Sequence, residues 1–191
     1  GFAALPHLPA LSELSLTWSN ADDAALAVLS RLRLERLELQ ACPRIGRVTI
    51  ERIARMDSLR VLALGANPHL EADWLGALAD LEHLESLDLG MIGSRAFFSG
   101  LAPLPQSEPG TGVTDDLLAA LTKLPALRAL NLDYAGISAE GLMALRALPT
   151  LERLSLRGSF AFLDDGESEL LLRSFPKLRT VVTDAGERTL R

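Results

Sequence analysis

Residues 127–156 read LRALNLDYAGISAEGLMALRALPTLERLSL, and the L-x-x-L-x-L block that opens this stretch at Leu127 returns at Leu151. The same block stands earlier as LSELSL at 11, LERLEL at 34, LRVLAL at 59 and LESLDL at 84, and later as a degenerate LRTVVT at 178. Start-to-start spacings are 23, 25, 25, 43, 24 and 27 residues. The closing x-L-x-L of each block alternates apolar and polar side chains, the period of a short strand with one buried face. Between blocks the period changes. Leu75, Leu78, Leu81 and Leu84 recur every third residue, as do Leu118, Leu121, Leu124 and Leu127, and again Leu142, Leu145, Leu148 and Leu151, which suits one face of a helix. A unit of strand, turn, helix and return this short cannot bury both its strand and its helix face alone, so neighbours must stack.

Composition agrees. The 191 residues include 42 leucines, more than twice an ordinary share, while aromatics make up only 5%. That bias suits many equivalent core slots better than one irregular core. A formal charge of −6 leaves no basic stripe for phosphates and argues against a nucleic-acid partner. The single Cys42 rules out an intramolecular disulfide and fits a reducing compartment. No apolar run reaches the roughly 18 residues that a membrane span requires. Residues 1–16, GFAALPHLPALSELSL, match residues 141–156 at nine of sixteen positions. GFAAL therefore aligns with the helix of a unit whose strand is missing. The chain reads as a fragment that opens half-way through a unit, with no recognisable polar cap at either end.

The helix starts share a column. Asp22, Thr114 and Ser138 each precede a helical run, where a short oxygen-bearing side chain caps free amides. Asp23, Asp115, Asp116 and Glu140 follow in the first turn, where the helix dipole favours carboxylates.

These blocks resemble leucine-rich repeats over nearly the whole chain. The resemblance implies an α/β fold: a right-handed solenoid of about seven repeats, with a parallel concave sheet and convex helices. Residues 1–191 would form a single domain, interrupted by an irregular insertion at about 94–112. LRALNLDYAGISAEGLMALRALPTL looks like the GALA type of bacterial effectors, and LERLELQACPRIGRVTIERIARMDSL resembles the cysteine-containing type of F-box proteins. Both types are associated with substrate selection by ubiquitin ligases. The resemblance thus implies a bacterial protein acting in its own or a host cytoplasm, as a protein-binding module. The family's Asn/Cys position is filled here by Ser19, Cys42, Asn67, Ile92, Ala135 and Ser159, which makes the turn ladder irregular.

Signals for catalysis are poor, and neither an enzyme nor a cofactor is expected. His7, His69 and His83 fall in different units without metal-ligand spacing. Cys42 occupies a structural turn position. DDGESE at 164–169 lacks the spacing of a calcium loop. Neither a phosphate-cradling glycine loop nor a nucleophile elbow is present.

Binding signals are better, because the alternation identifies the residues that point away from the core. Val61, Ala63, Gly65, Ala66 and Gly90 form a floor of small residues that would admit a partner. Beside it lie Asp88, Asn131 and Asp133, with Arg153 and Arg157 farther along and Arg36 and Glu38 on the other side. Trp18, Met91 and Tyr134 share a column on the rim, where large amphipathic side chains anchor interfaces. The 43-residue interval holds SRAFFSGLAPLPQSEPGTG at 94–112, whose Phe97 and Phe98 either pack back or meet a partner. Leaving aside the five floor residues, these twelve are the candidate binding set, for a protein or peptide and not for nucleic acid or membrane. The alternative is a spacer solenoid with nothing bound on its concave side; the oligomeric state is left open.

Overall fold

The computed structural model describes residues 2–8, 10–67, 69–92, 112–159 and 173–190. Phe97, Phe98 and the rest of the expected insertion through residue 111 lie outside them, as does the acidic run at 164–169. Seven short strands lie side by side in chain order and parallel. They are β1 (Glu13–Ser15), β2 (Arg36–Glu38), β3 (Val61–Ala63), β4 (Ser86–Asp88), β5 (Ala129–Asn131), β6 (Arg153–Ser155) and β7 (Thr180–Thr183). The middle leucines pair in one row, Leu14, Leu37, Leu62, Leu87, Leu130 and Leu154, which ends on Val181. From Leu37 to Val181 each is at most 2% exposed, while Leu14 on the β1 edge is half-buried. The long interval does not disturb this register, since β4 pairs directly with β5.

Helices cover the leucine side. They are α1 (Arg47–Ile53), α2 (Ala72–Leu75), α3 (Asp115–Leu121) and α4 (Ala139–Ala144), and strand and helix leucines merge into one core cluster. The helical stretches are tighter than the sequence reading expects. α2 passes into a 3-10 segment at Gly76–Asp80, α4 into another at Leu145–Ala147, and the first unit has only 3-10 turns at Ala25–Arg31. The leucine spacing explains this. Three-residue steps drift by about 60° around an α-helix but stay in line on a helix of three residues per turn. Tightening keeps Leu75, Leu78 and Leu81 all at 2% exposure or less.

All three expected caps form. Asp22 accepts from the Ala25 N–H at 2.9 Å, Thr114 from Leu117 at 3.3 Å and Ser138 from Gly141 at 3.0 Å. The neighbouring acids reach across to the next unit. Asp23 accepts from the Gly46 N–H at 2.8 Å, the Thr49 N–H at 3.1 Å and the Thr49 hydroxyl, so it caps α1 from outside. Asp115 likewise accepts from the Ser138 hydroxyl at 2.7 Å. A Cβ on Gly46 would lie 2.9 Å from the Asp23 carboxylate, which would have to shift to admit it.

Two further ladders run across the strands. At the strand starts, the carbonyls of Glu35, Arg60, Glu85, Arg128 and Glu152 each accept two N–H groups from the next unit. Their side chains alternate in sign, and Arg60 meets Glu85 at 2.7 Å and Arg128 meets Glu152 at 3.5 Å. Such exposed pairs contribute little energy, about 0–1 kcal/mol each, but like-charged neighbours would oppose any other order. At the turns, buried Asn67 donates to the Leu39 and Leu64 carbonyls at 2.8 and 2.7 Å and accepts from the Cys42 N–H at 2.7 Å. Cys42 donates to the Leu16 carbonyl at 3.1 Å, and Ser159 to that of Leu132 at 2.8 Å. Ile92 and Ala135 have no side-chain donor to continue it, so the ladder is interrupted in those two units.

At the far edge the sheet gains an eighth strand. LRTVVT is followed by β8 (Gly186–Thr189), which folds back antiparallel onto β7 through Asp184 and Ala185. Its face is polar and mostly exposed. Arg153 grips Glu187 through two bonds of 2.8 and 3.0 Å, and the Gly158 N–H lies 3.0 Å from both Asp184 oxygens.

Asp23 gives a stability test. Burial raises its pKa, but the Thr49 and Gly46 hydrogen bonds and the Arg52 charge outweigh it, leaving the carboxyl below its ordinary value. Its stabilisation is therefore complete above the unfolded value near pH ~4 and is lost as pH falls through the lower folded value. Asp23→Ala is expected to lower the unfolding free energy in urea by about 1–2 kcal/mol at neutral pH. The gap from wild type should close in strong acid.

Candidate functional site

A three-residue strand has one side chain facing the core and two facing away. The register therefore sets out columns on the outer face, the one the resemblance makes concave. One runs Ser15, Glu38, Ala63, Asp88, Asn131, Ser155. Beyond the strand ends the main-chain ladder continues. The N–H groups of Trp18, Ala41, Ala66, Met91 and Tyr134 donate to the carbonyls of Gln40, Gly65, Gly90, Asp133 and Arg157 at 2.6–3.1 Å.

Those five donors all have left-handed backbones, with φ of 62°, 51°, 58°, 61° and 56°, and Gly158 at 63° completes the column. For a residue with a Cβ this conformation costs roughly 1–2 kcal/mol, offset here by the inter-unit hydrogen bond and the packing around it. Trp18, Met91 and Tyr134 thus project from one rim, as the sequence places them. A Cβ on Gly158 would run into the Tyr134 ring, so that ring fills the space a side chain there would need.

The outer face carries a continuous chain of polar contacts. The Ser15 and Thr17 hydroxyls lie 3.3 Å apart, and Thr17 donates to Gln40 Oε1 at 3.4 Å. Gln40 Nε2 donates to Asp88 Oδ2 at 2.9 Å, and Asn131 Nδ2 to Asp88 Oδ1 at 2.8 Å. Asn131 Oδ1 accepts from the Asp133 N–H at 2.9 Å, and Asp133 accepts from the Ser155 hydroxyl at 2.6 Å and the Arg157 N–H at 2.8 Å. The small floor serves this chain. A Cβ on Gly65 would lie 3.1 Å from Asp88 Oδ1, and one on Gly90 3.0 Å from Asn131 Nδ2. The glycines seat these side chains, and the Gln40–Asp88 bond crosses above β3.

Burial pushes the Asp88 carboxyl above its ordinary value; hydrogen bonds from Gly90, Gln40 and Asn131 pull it down, and the Asp133 charge pushes it further up. A raised carboxyl pKa means that ionisation costs stability: the cost is absent below the unfolded value and complete once pH exceeds the folded one.

Asp88, Met91, Asn131, Asp133, Tyr134 and Arg157 come together with Gln40, Gly65, Ala66 and Gly90 around a hollow of about 350 Å³. Four other candidates lie apart from it. Arg36 pairs with Glu38 of its own strand at 3.2 Å, and Arg153 is held by Glu187. Trp18 stands on the β1 end of the rim, 67% exposed. Phe97 and Phe98 fall outside the described residues. The sequence reading gives no special weight to Gln40, although it joins β2 to Asp88 at a separation of 48 residues. Its outward position was readable; its partner was not.

Among known proteins, no family model matches. One curated relative, Antagonist of mitotic exit network protein 1 of the fungus Eremothecium gossypii, is 31% identical over 189 aligned residues, which take in 91% of this chain and 48% of the relative. The chain thus spans about half the length of that protein. Among solved structures, the yeast Rad7–Elc1 complex superposes with a TM-score of 0.61 at 19% identity, over 94% of this chain and 45% of the matched one. The actin-binding site 2 of Leiomodin-1 gives 0.48 at 12% identity over 92% and 84%. The Rad7–Elc1 likeness concerns the fold alone and agrees with a repeat architecture. Neither the relative nor the Rad7–Elc1 structure supports the bacterial subtype.

The polar chain predicts an asymmetric cost. Asn131→Asp sets a carboxylate against Asp88 and removes one of its donors. It should lower stability in urea at pH 7 by about 1–3 kcal/mol, with the loss shrinking in acid. An unchanged midpoint would show that the chain contributes nothing to the fold.

Proposed function

We propose that the chain is a non-catalytic recognition module, a right-handed leucine-rich-repeat solenoid of about seven repeats that holds a protein or peptide on its concave face and adjoining rim. The observation that carries this reading is the convergence of Met91, Tyr134 and Arg157 on one hollow. Among the described residues the Arg157 guanidinium has no ion pair or side-chain hydrogen bond. Met, Tyr and Arg are the side chains enriched where interfaces bury their anchors. Arg36, Arg153, Asp88 and Asn131 are already engaged within the chain and would form the positioned surround.

Two comparisons support a binding role. The superposed structure is a complex of two proteins, and the fungal relative is named as an antagonist, which suits action by binding another protein. Selection of a substrate for ubiquitin ligation, and a bacterial effector setting, rest on the resemblance of single repeats. The buried lone Cys42 supports a reducing, cytoplasmic location. A second reading, a spacer solenoid, has its own support: the outer-face polar groups largely satisfy one another.

An immobilised chain exposed to cytosol separates these readings. A partner retained at near-equal stoichiometry should bind about tenfold or more weaker to Tyr134→Arg and to Arg157→Glu. Retention indifferent to both would remove the hollow from the account and favour the spacer.

A further inference from the structure

The three donors on Asp88 are unevenly shared. Oδ1 accepts from the Gly90 N–H at 2.9 Å and from Asn131 at 2.8 Å, whereas Oδ2 accepts only from Gln40 at 2.9 Å. The two amides also differ at their far ends. Asn131 Oδ1 is fixed by the main-chain N–H of Asp133 at 2.9 Å, a donor that cannot become an acceptor, so Asn131 has one permitted orientation. Gln40 Oε1 faces the Thr17 hydroxyl at 3.4 Å, itself 3.3 Å from the Ser15 hydroxyl. Hydroxyls rotate and serve in either role. Gln40 can therefore be reversed where Asn131 cannot.

We propose that Gln40 is a proton-responsive catch: when Asp88 takes up a proton on Oδ2, the Gln40 amide turns end for end, accepting from the new Asp88 O–H through Oε1 and donating to Thr17 through Nε2. A proton from solvent adds to Oδ2 because on Oδ1 it would oppose two N–H donors. Thr17 changes from donor to acceptor, and its own hydrogen turns to Ser15. The polar chain stays closed over Gly65 while the hollow loses one negative charge.

The surrounding charges suit such a site. On β2 the ionisable neighbour is Glu38, held by Arg36, and β3 contributes none. Burial and the Asp133 charge beyond β5 favour the neutral form of Asp88, while the hydrogen bonds from Gly90, Gln40 and Asn131 favour the ionised one. This device operates whether or not a partner occupies the face.

Solution NMR of the whole chain tests it. The Asp88 carboxyl carbon and the side-chain amides of Gln40 and Asn131 are followed from neutral pH into acid. The Asp88 midpoint should lie above the ordinary carboxylate value, the Gln40 amide should shift with the same midpoint, and Asn131 should shift much less. Asp88→Asn presents an N–H where Oδ2 lay, so it should hold the acid-form Gln40 signal at every pH. Asp133→Asn should lower both midpoints together. A Gln40 amide that stays constant while Asp88 titrates, or moves with a midpoint belonging to another group, overturns the proposal. If Asp88→Asn does not fold, the wild-type and Asp133→Asn titrations decide it.

Discussion

The strands β1 to β6 are three residues long, so only the middle side chain of each faces the core, and those side chains lie directly beside one another from Leu14 to Leu154, in a row that ends on Val181 of the four-residue β7. A slip of one residue between neighbours would bring Glu38 or Asp88 inward and turn a leucine to water. With roughly 1.5–3 kcal/mol at stake for each large apolar side chain, the register is set unit by unit. The helices follow from the same requirement. Their leucines must reach this row in a short return, and a spacing of three residues brings them there through 3-10 turns.

Once the register is fixed, every other column is fixed too. The same alignment produces the alternating charges at the strand starts, the buried turn ladder around Asn67, and the left-handed rim from Trp18 to Gly158. It also brings Gln40, Asp88, Asn131 and Asp133, which belong to three different units, within hydrogen-bond reach. The hollow is thus a consequence of stacking, and its polar residues hold each other as much as they offer themselves to a partner. The units carrying Ile92 and Ala135 lack a side-chain donor in the buried turn ladder, and those same units supply Asp88, Asn131 and Asp133 to the outer face.

Much of this was legible in the sequence because period and offset are local properties. Blocks, strands, outward columns, the Asp22, Thr114 and Ser138 caps and the shared rim of Trp18, Met91 and Tyr134 all follow from counting along the chain. The missing features depend on geometry between units. Positive φ at Trp18 or Met91 leaves no trace in residue type, because within that column glycine stands only at 158. The Gln40–Asp88 bond crosses an intervening strand, and small residues at 65 and 90 look like open space until Asp88 and Asn131 are seen to lie over them. The β8 hairpin had a signal in VVTDAGERT, but the degenerate last block directs attention to its lost leucines. Six of the twelve candidates meet at the hollow, and three others are engaged by opposite charges, Arg36 and Glu38 by each other and Arg153 by Glu187, pairings that alternation alone does not specify.

The stack runs unbroken across the 43-residue interval, with β4 bonded to β5. Amide hydrogen exchange tests it at two positions, since the Leu89 and Met91 N–H groups donate to Asn131 and Asp133 at 2.9 and 2.7 Å. Both should be protected as strongly as Leu39 and Leu64, their counterparts between β2, β3 and β4. Exchange of Leu89 and Met91 at unprotected rates, with Leu39 and Leu64 still slow, would contradict it. The hollow would then have no continuous floor.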